Sequence, residues 1–142
     1  MIVPDVNLLV YAYDSKSPFH RAAATWWTQL ATSSQTIGLP HLTLFGFLRI
    51  MTHPRICSNP MPVSEALDRI REWLRLPQVQ PITPGLRHLE IAFSLLETLG
   101  VGGNLTTDVQ LAAFAIENQA ELHSVDADFN RFPGLRWRNP LL

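Results

Sequence analysis

The chain has a single cysteine, Cys57, so no disulfide can close within it, and a reducing compartment suits it better than an oxidising one. It has no excess of either charge: 11 Lys and Arg stand against 12 Asp and Glu, a formal net charge of −1. Such a balance gives polyanions no global attraction, so contact with a nucleic acid has to rest on a local basic patch or a bound cation. Long apolar runs are also missing; none approaches the ~20 residues a helix needs to cross a bilayer, and no membrane span is expected. The opening Met1, Ile2 and Val3 meet Asp5 almost at once, with neither a basic n-region nor a small-residue cleavage site. No signal peptide is expected, and the cytoplasm is the expected compartment. The five histidines, His20, His41, His53, His88 and His123, show no close ligand spacing, which argues against zinc.

What is present is 142 residues, 46% of them hydrophobic, enough for one core and too few for two ordinary domains. Residues 1–142 therefore read as one domain. Short apolar runs alternate with longer stretches of helical period, the pattern of parallel strands joined by crossover helices, which makes the fold class α/β. Strands are expected at Met1–Val3, Thr36–Leu39, Val79–Ile82 and Leu122–Val125, with an edge strand at Leu135–Trp137. A helix from Pro18 to about Ser33 places Phe19, Ala23, Trp26 and Leu30 on one face and leaves Trp27 off it; Leu42 to Met51 reads as a buried helix. Ser64 is the expected cap of a helix carrying Leu67, Ile70 and Leu74. Thr83 followed by Pro84 predicts the start of a helix whose core stripe is Leu86, Leu89, Phe93 and Leu96, ending at Gly100. Thr106 or Thr107 is expected to cap a helix through Ile116.

In open parallel sheets, sites form beyond the carboxyl ends of the strands. Asp5 follows the first strand, Asp126 follows the strand at Leu122–Val125, and Asp108 lies in the first turn of a helix. Carboxylates collected at one place repel, so they either hold protons or bind a hard cation with oxygen ligands, Mg²⁺ or Mn²⁺. Such a cation would suit phosphodiester hydrolysis. Each acid also has a plain structural reading: Asp5 as a helix cap, Asp126 and Asp128 as turn residues, Asn7 and Asn104 as loop and cap residues. The run Gly100, Val101, Gly102, Gly103 follows a helix instead of a strand, a poor context for a phosphate loop. Arg49, Arg55, Arg69, Arg71 and Arg75 are candidate phosphate contacts, or a solvated face.

Three stretches occur in a telling order: Pro4-Asp5-Val6-Asn7-Leu8-Leu9-Val10-Tyr11-Ala12, then Gly103-Asn104-Leu105-Thr106-Thr107-Asp108-Val109-Gln110-Leu111-Ala112-Ala113, then Ser124-Val125-Asp126-Ala127-Asp128-Phe129. Together they resemble the acidic motifs of VapC-type PIN-domain toxins, and the resemblance runs over nearly the whole chain. It implies a three-layer α/β/α sandwich with a central parallel sheet. It also implies a Mg²⁺- or Mn²⁺-dependent endoribonuclease, a homodimer, and inhibition by a VapB-like antitoxin. By the same resemblance Asp5, Asp108 and Asp126 are the metal-binding aspartates, with Asn7, Asn104 and Asp128 around the site. One of Trp26 and Trp27 is expected to be partly exposed, Trp27 being the expected dimer contact.

Two positions depart from the family. Val6 stands where Thr or Ser is usual and cannot donate a hydroxyl hydrogen bond. In Leu44-Phe45-Gly46-Phe47-Leu48-Arg49, Gly46 stands where a glutamate is expected. Glycine inside a helix costs roughly 1 kcal/mol relative to alanine, so propensity does not account for it. Close packing between Phe45 and Phe47 is one explanation and an inactivating change is another. The second makes a catalytically impaired module, one that dimerises and binds antitoxin without efficient RNA cleavage, the main alternative. An unrelated doubly wound phosphatase or nucleotide-binding protein ranks last, because the chain has neither paired aspartates at Asp5-Val6-Asn7 nor a Walker lysine motif.

Overall fold

The computed structural model describes residues 1–142. Five short strands form one all-parallel sheet: β1 (Ile2–Pro4), β2 (Ile37–Pro40), β3 (Val79–Ile82), β4 (Glu121–His123) and β5 (Arg136–Arg138), in the order β3-β2-β1-β4-β5. Six helices connect them: α1 (Val6–Tyr13), α2 (His20–Ala31), α3 (His41–Met51), α4 (Val63–Arg75), α5 (His88–Leu99) and α6 (Leu105–Glu117). A 3-10 turn, Ala127–Arg131, follows β4.

Successive side chains of a strand point to opposite faces, and the sheet buries both. Ile2 belongs to a core shared with α1, α2, α3 and α4, whereas Val3 belongs to a second core with α5, α6 and the aromatic pair Phe129 and Phe132. Four helices therefore cover one face and two the other, the α/β/α sandwich expected from the motifs. No helix is long and apolar enough to cross a membrane.

Several local expectations fail for identifiable reasons. Trp26 and Trp27 are both buried, at 8% and 6% exposure. Trp27 lies edge-on to Trp73 of α4 at 5.6 Å, so it fills the core between α2 and α4 instead of an outer surface. The α4 core face is Ala66, Ile70 and Trp73; Leu74 is exposed, and Pro62, not Ser64, precedes the first turn. The largest revision concerns α5. It starts at His88, not at Thr83-Pro84, and its inward face is His88, Ala92 and Leu95, leaving Leu86, Leu89 and Phe93 exposed.

The cause is a tertiary tie. Glu117, at the end of α6, accepts the backbone N–H of Gly85 at 2.7 Å and of Arg87 at 2.9 Å, holding the segment before α5 in a loop. A Cβ at Gly85 would stand 2.6 Å from that carboxylate, so a side chain there would push Glu117 off the two amides. At the other end Gly100 closes α5 with φ of 70°, as the motif predicted.

Candidate active site

The order β3-β2-β1-β4-β5 reverses direction at β1, and this switch point opens a crevice at the carboxyl ends of β1 and β4. Asp5 is the residue after β1. Parallel pairing of Pro4 with His123 puts Asp5 beside Ser124, and the Asp5 N–H donates to the His123 carbonyl at 2.8 Å. Because α1 and α3 leave directly from strand ends, their N-termini face the crevice. The N-terminus of α6 faces it too, since α6 runs back to feed β4 through Asn118–Ala120. These helix ends favour negative charge.

A cleft of about 400 Å³ occupies this edge, and Asp5, Asp108 and Asp126 all line it, with Asn7, Thr107, Gly46 and Arg49. The three acids come from β1, α6 and the segment after β4, and the fold brings them together. Asp5 occupies the N-cap position of α1, and the Val6 and Asn7 amides lie near enough to its carboxyl to favour the ionised form. It also receives the Ser124 hydroxyl at 2.7 Å. Ser124 is fully buried and accepts the Asp126 N–H at 3.0 Å, so a single hydroxyl links the two strand-end acids. Asp126 has a turn role, because Oδ1 accepts the Asp128 N–H at 2.9 Å. Asn104 and Asp128 are exposed and do not line the cleft. Asp128 nonetheless reaches the site through its charge.

The electrostatics follow from this crowding. Burial pushes the Asp5 carboxyl up, the nearby Asp126 adds to the rise, and the Ser124 hydroxyl with the Val6 and Asn7 amides opposes it. Asp108 is pushed up to about 6, first by partial burial and then by the charges of Asp5, Asp126 and Asp128. Mutually raised carboxyls in a polar cleft are the donor set of a hard cation. No three acidic, histidine or cysteine side chains are yet drawn together closely enough to hold one, an arrangement that repulsion between ion-free carboxylates also favours. In donor type, carboxylate oxygens lining one cleft, the residues suit a hard cation such as Mg²⁺ or Mn²⁺.

Sequence reasoning passed over Ser124 as a functional residue, although it opens the third acidic stretch. The explanation of Gly46 also changes. A Cβ there would lie 3.2 Å from Cγ2 of Val6 and 3.6 Å from its Cβ, so the glycine accommodates Val6 of α1 and not the aromatic pair Phe45 and Phe47. The two departures from the family are thus in contact with each other.

The PIN domain family matches residues 2–135. Ribonuclease VapC33 of Mycobacterium tuberculosis is 50% identical over 141 residues, covering 99% of both chains. This chain belongs to the PIN-domain family, among the VapC ribonucleases. The PIN fold is also shared with solved structures. VapBC2 from Rickettsia felis, bound to a DNA fragment from its promoter, matches with a TM-score of 0.69 at 23% identity, over 98% of each chain. A toxin-antitoxin complex from Klebsiella pneumoniae matches with a TM-score of 0.65 at 16% identity, over 99% of this chain and 98% of the other.

Proposed function

We propose that this chain is a cytoplasmic VapC endoribonuclease toxin, folded as one PIN domain, that hydrolyses RNA phosphodiester bonds with Mg²⁺ or Mn²⁺ at Asp5, Asp108 and Asp126. The observation that carries the reading is the meeting of three acids from distant segments in one cleft at the sheet's switch point, with no cation of the protein paired to any of them. A bound divalent cation would let the carboxylates ionise together, activate water, and offset charge developing on phosphorus. Ser124 holds Oδ2 of Asp5 and so sets the direction of the most buried acid. Without a cation Asp108 is raised to about 6, so cation binding would displace its proton near neutral pH and free the carboxylate as a ligand. Asn7, at the first turn of α1 on the cleft rim, is placed to bind substrate. Asp128 acts at a distance through its charge on Asp108, whereas the position of Asn104, exposed and outside the cleft, does not support a role in binding substrate.

The partner proposed is a VapB-like antitoxin that covers this cleft, in keeping with the toxin-antitoxin complex of the same fold. A homodimer is proposed as well. Its contact is the exposed Leu89 and Phe93 of α5, with Leu86 of the preceding loop, in place of the buried Trp27. A second reading, an impaired module that binds antitoxin but cleaves slowly, has Gly46 in its favour, since the cleft wall lacks a fourth carboxylate. Cleavage of an RNA panel with Mg²⁺ or Mn²⁺, repeated with Asp5→Asn, tests both. Cation-dependent cleavage abolished by Asp5→Asn is expected, whereas cleavage that survives Asp5→Asn overturns the assignment.

A further inference from the structure

The cleft has a second wall that the three acids do not explain. Helix α3 presents His41, Phe45 and Arg49 at intervals of four residues, which places them in one row along the helix. All three are exposed, Phe45 at 66%, and Phe45 and Arg49 both line the cleft that holds Asp5, Asp108 and Asp126. His41 meets Phe45 edge-on at 6.3 Å, which restricts the phenyl ring without covering it. Between Phe45 and Arg49 lies Gly46, whose missing side chain makes room for Val6 of α1 and puts no polar group beside Arg49.

The charge pattern identifies the occupant. Arg49 has no carboxylate within ion-pair distance, since the chain's ion pairs lie at Arg69, Arg71 and His123. A glutamate at position 46 would stand three residues before Arg49, the spacing at which helical ion pairs form, and would compete with a phosphate for the guanidinium. With glycine there, a free cation and a bare aromatic face stand side by side across a cleft from acids that call for a dication. A single-stranded polyanion with flat bases complements both: the phosphate takes the guanidinium and a base stacks on the ring.

Resting on the ribonuclease reading, we propose that Phe45 and Arg49 form the substrate strip of this enzyme, Phe45 stacking a base next to the scissile phosphate and Arg49 holding a backbone phosphate, with Gly46 keeping Arg49 unpaired. The test is titration of a fluorescein-labelled single-stranded oligoribonucleotide with the whole protein, without divalent cation so that no cleavage intervenes, across a range of salt. Phe45→Ala is expected to weaken binding about tenfold and Phe45→Trp to restore it, because one stacked base is worth roughly this much. Arg49→Gln is expected to flatten the dependence of log Kd on log salt by about 0.7, while Arg49→Lys keeps it, as for one phosphate contact on a single strand. A 2-aminopurine base in the oligonucleotide should lose fluorescence on the parent protein and not on Phe45→Ala. Both residues are exposed, so the fold tolerates these changes.

If all variants bind and quench like the parent while Asp5-dependent cleavage is intact, the strip is wrong and the ribonuclease reading survives. If Phe45→Ala instead disrupts self-association or antitoxin capture with RNA binding unchanged, the face belongs to a protein partner and the proposal is overturned. If the parent neither binds nor cleaves RNA, the ribonuclease reading falls and takes the strip with it.

Discussion

Gly46→Glu introduces the carboxylate that the resemblance to PIN-domain toxins leads one to expect at this position, yet the surroundings oppose it. The new Cβ would lie 3.2 Å from Val6 Cγ2, several tenths of an ångström inside comfortable carbon contact, so α1 or the valine must move. Overpacking of this kind costs about 1–3 kcal/mol, and the gain in helix propensity offsets roughly 0.5–1 kcal/mol of it. Gly46→Glu should therefore destabilise the protein by about 1 kcal/mol and lower Tm by roughly 3 °C. On a Val6→Ser background the obstruction is gone. The same substitution should then be neutral or stabilising, giving a coupling of about 1 kcal/mol in a double-mutant cycle. The seated carboxylate should also tighten Mn²⁺ binding and raise RNA cleavage in the double variant more than in the single one. Thermal melts, calorimetric Mn²⁺ titrations and cleavage rates on all four proteins measure this. A Gly46→Glu protein as stable as the parent, with no coupling to Val6→Ser, would refute the steric account. A double variant with unchanged Mn²⁺ affinity would show that a carboxylate at this position does not reach the cation.

Asp108 supplies a pH prediction. A carboxyl raised from 3.8 to about 6 binds more protons folded than unfolded, so its contribution to stability is present below about pH 4 and is lost as pH rises through 6. Without divalent cation, Asp108→Asn should raise Tm at pH 7.5 and not at pH 4; an equal shift at both values would contradict the assigned repulsion. Mn²⁺ affinity of the parent should fall on acidification below about 6, as protons compete for the same oxygens. Glu117→Ala removes the acceptor for two backbone amides and should cost about 1 kcal/mol, or roughly 3 °C in Tm, and an unchanged melt would show that the tie before α5 is incidental. Phe93→Glu should shift the protein from dimer to monomer in sedimentation, while Trp27→Glu should unfold it; a dimer that survives Phe93→Glu would move the contact off α5.

The acids were legible because they sit at punctuated positions. Asp5 and Asp126 each follow a short apolar run, and Asp108 follows a Gly-Asn break, so local pattern and strand-end placement agreed. The α5 start was misjudged because Thr83-Pro84 is a sound local signal overruled by Glu117, a residue 32 positions away from Gly85. Its stripe failed for a related reason, as helical period shows which residues share a face and not which face is covered. Trp27 lay off the counted stripe, and only the position of Trp73 made it core. Val6 and Gly46 each looked like a separate anomaly. Their meaning is pairwise, and without a structure nothing in the spacing of residues 6 and 46 brings them together.

The hydroxyl that joins Asp5 to the segment after β4 spans 119 positions of chain. During synthesis, Asp5 emerges well before the segment after β4 that supplies Ser124 and Asp126, and β1 has no partner on that side until β4 inserts. The acidic cleft is therefore a late product of folding, since neither Ser124 nor Asp126 can reach Asp5 until β4 has joined β1 in the sheet.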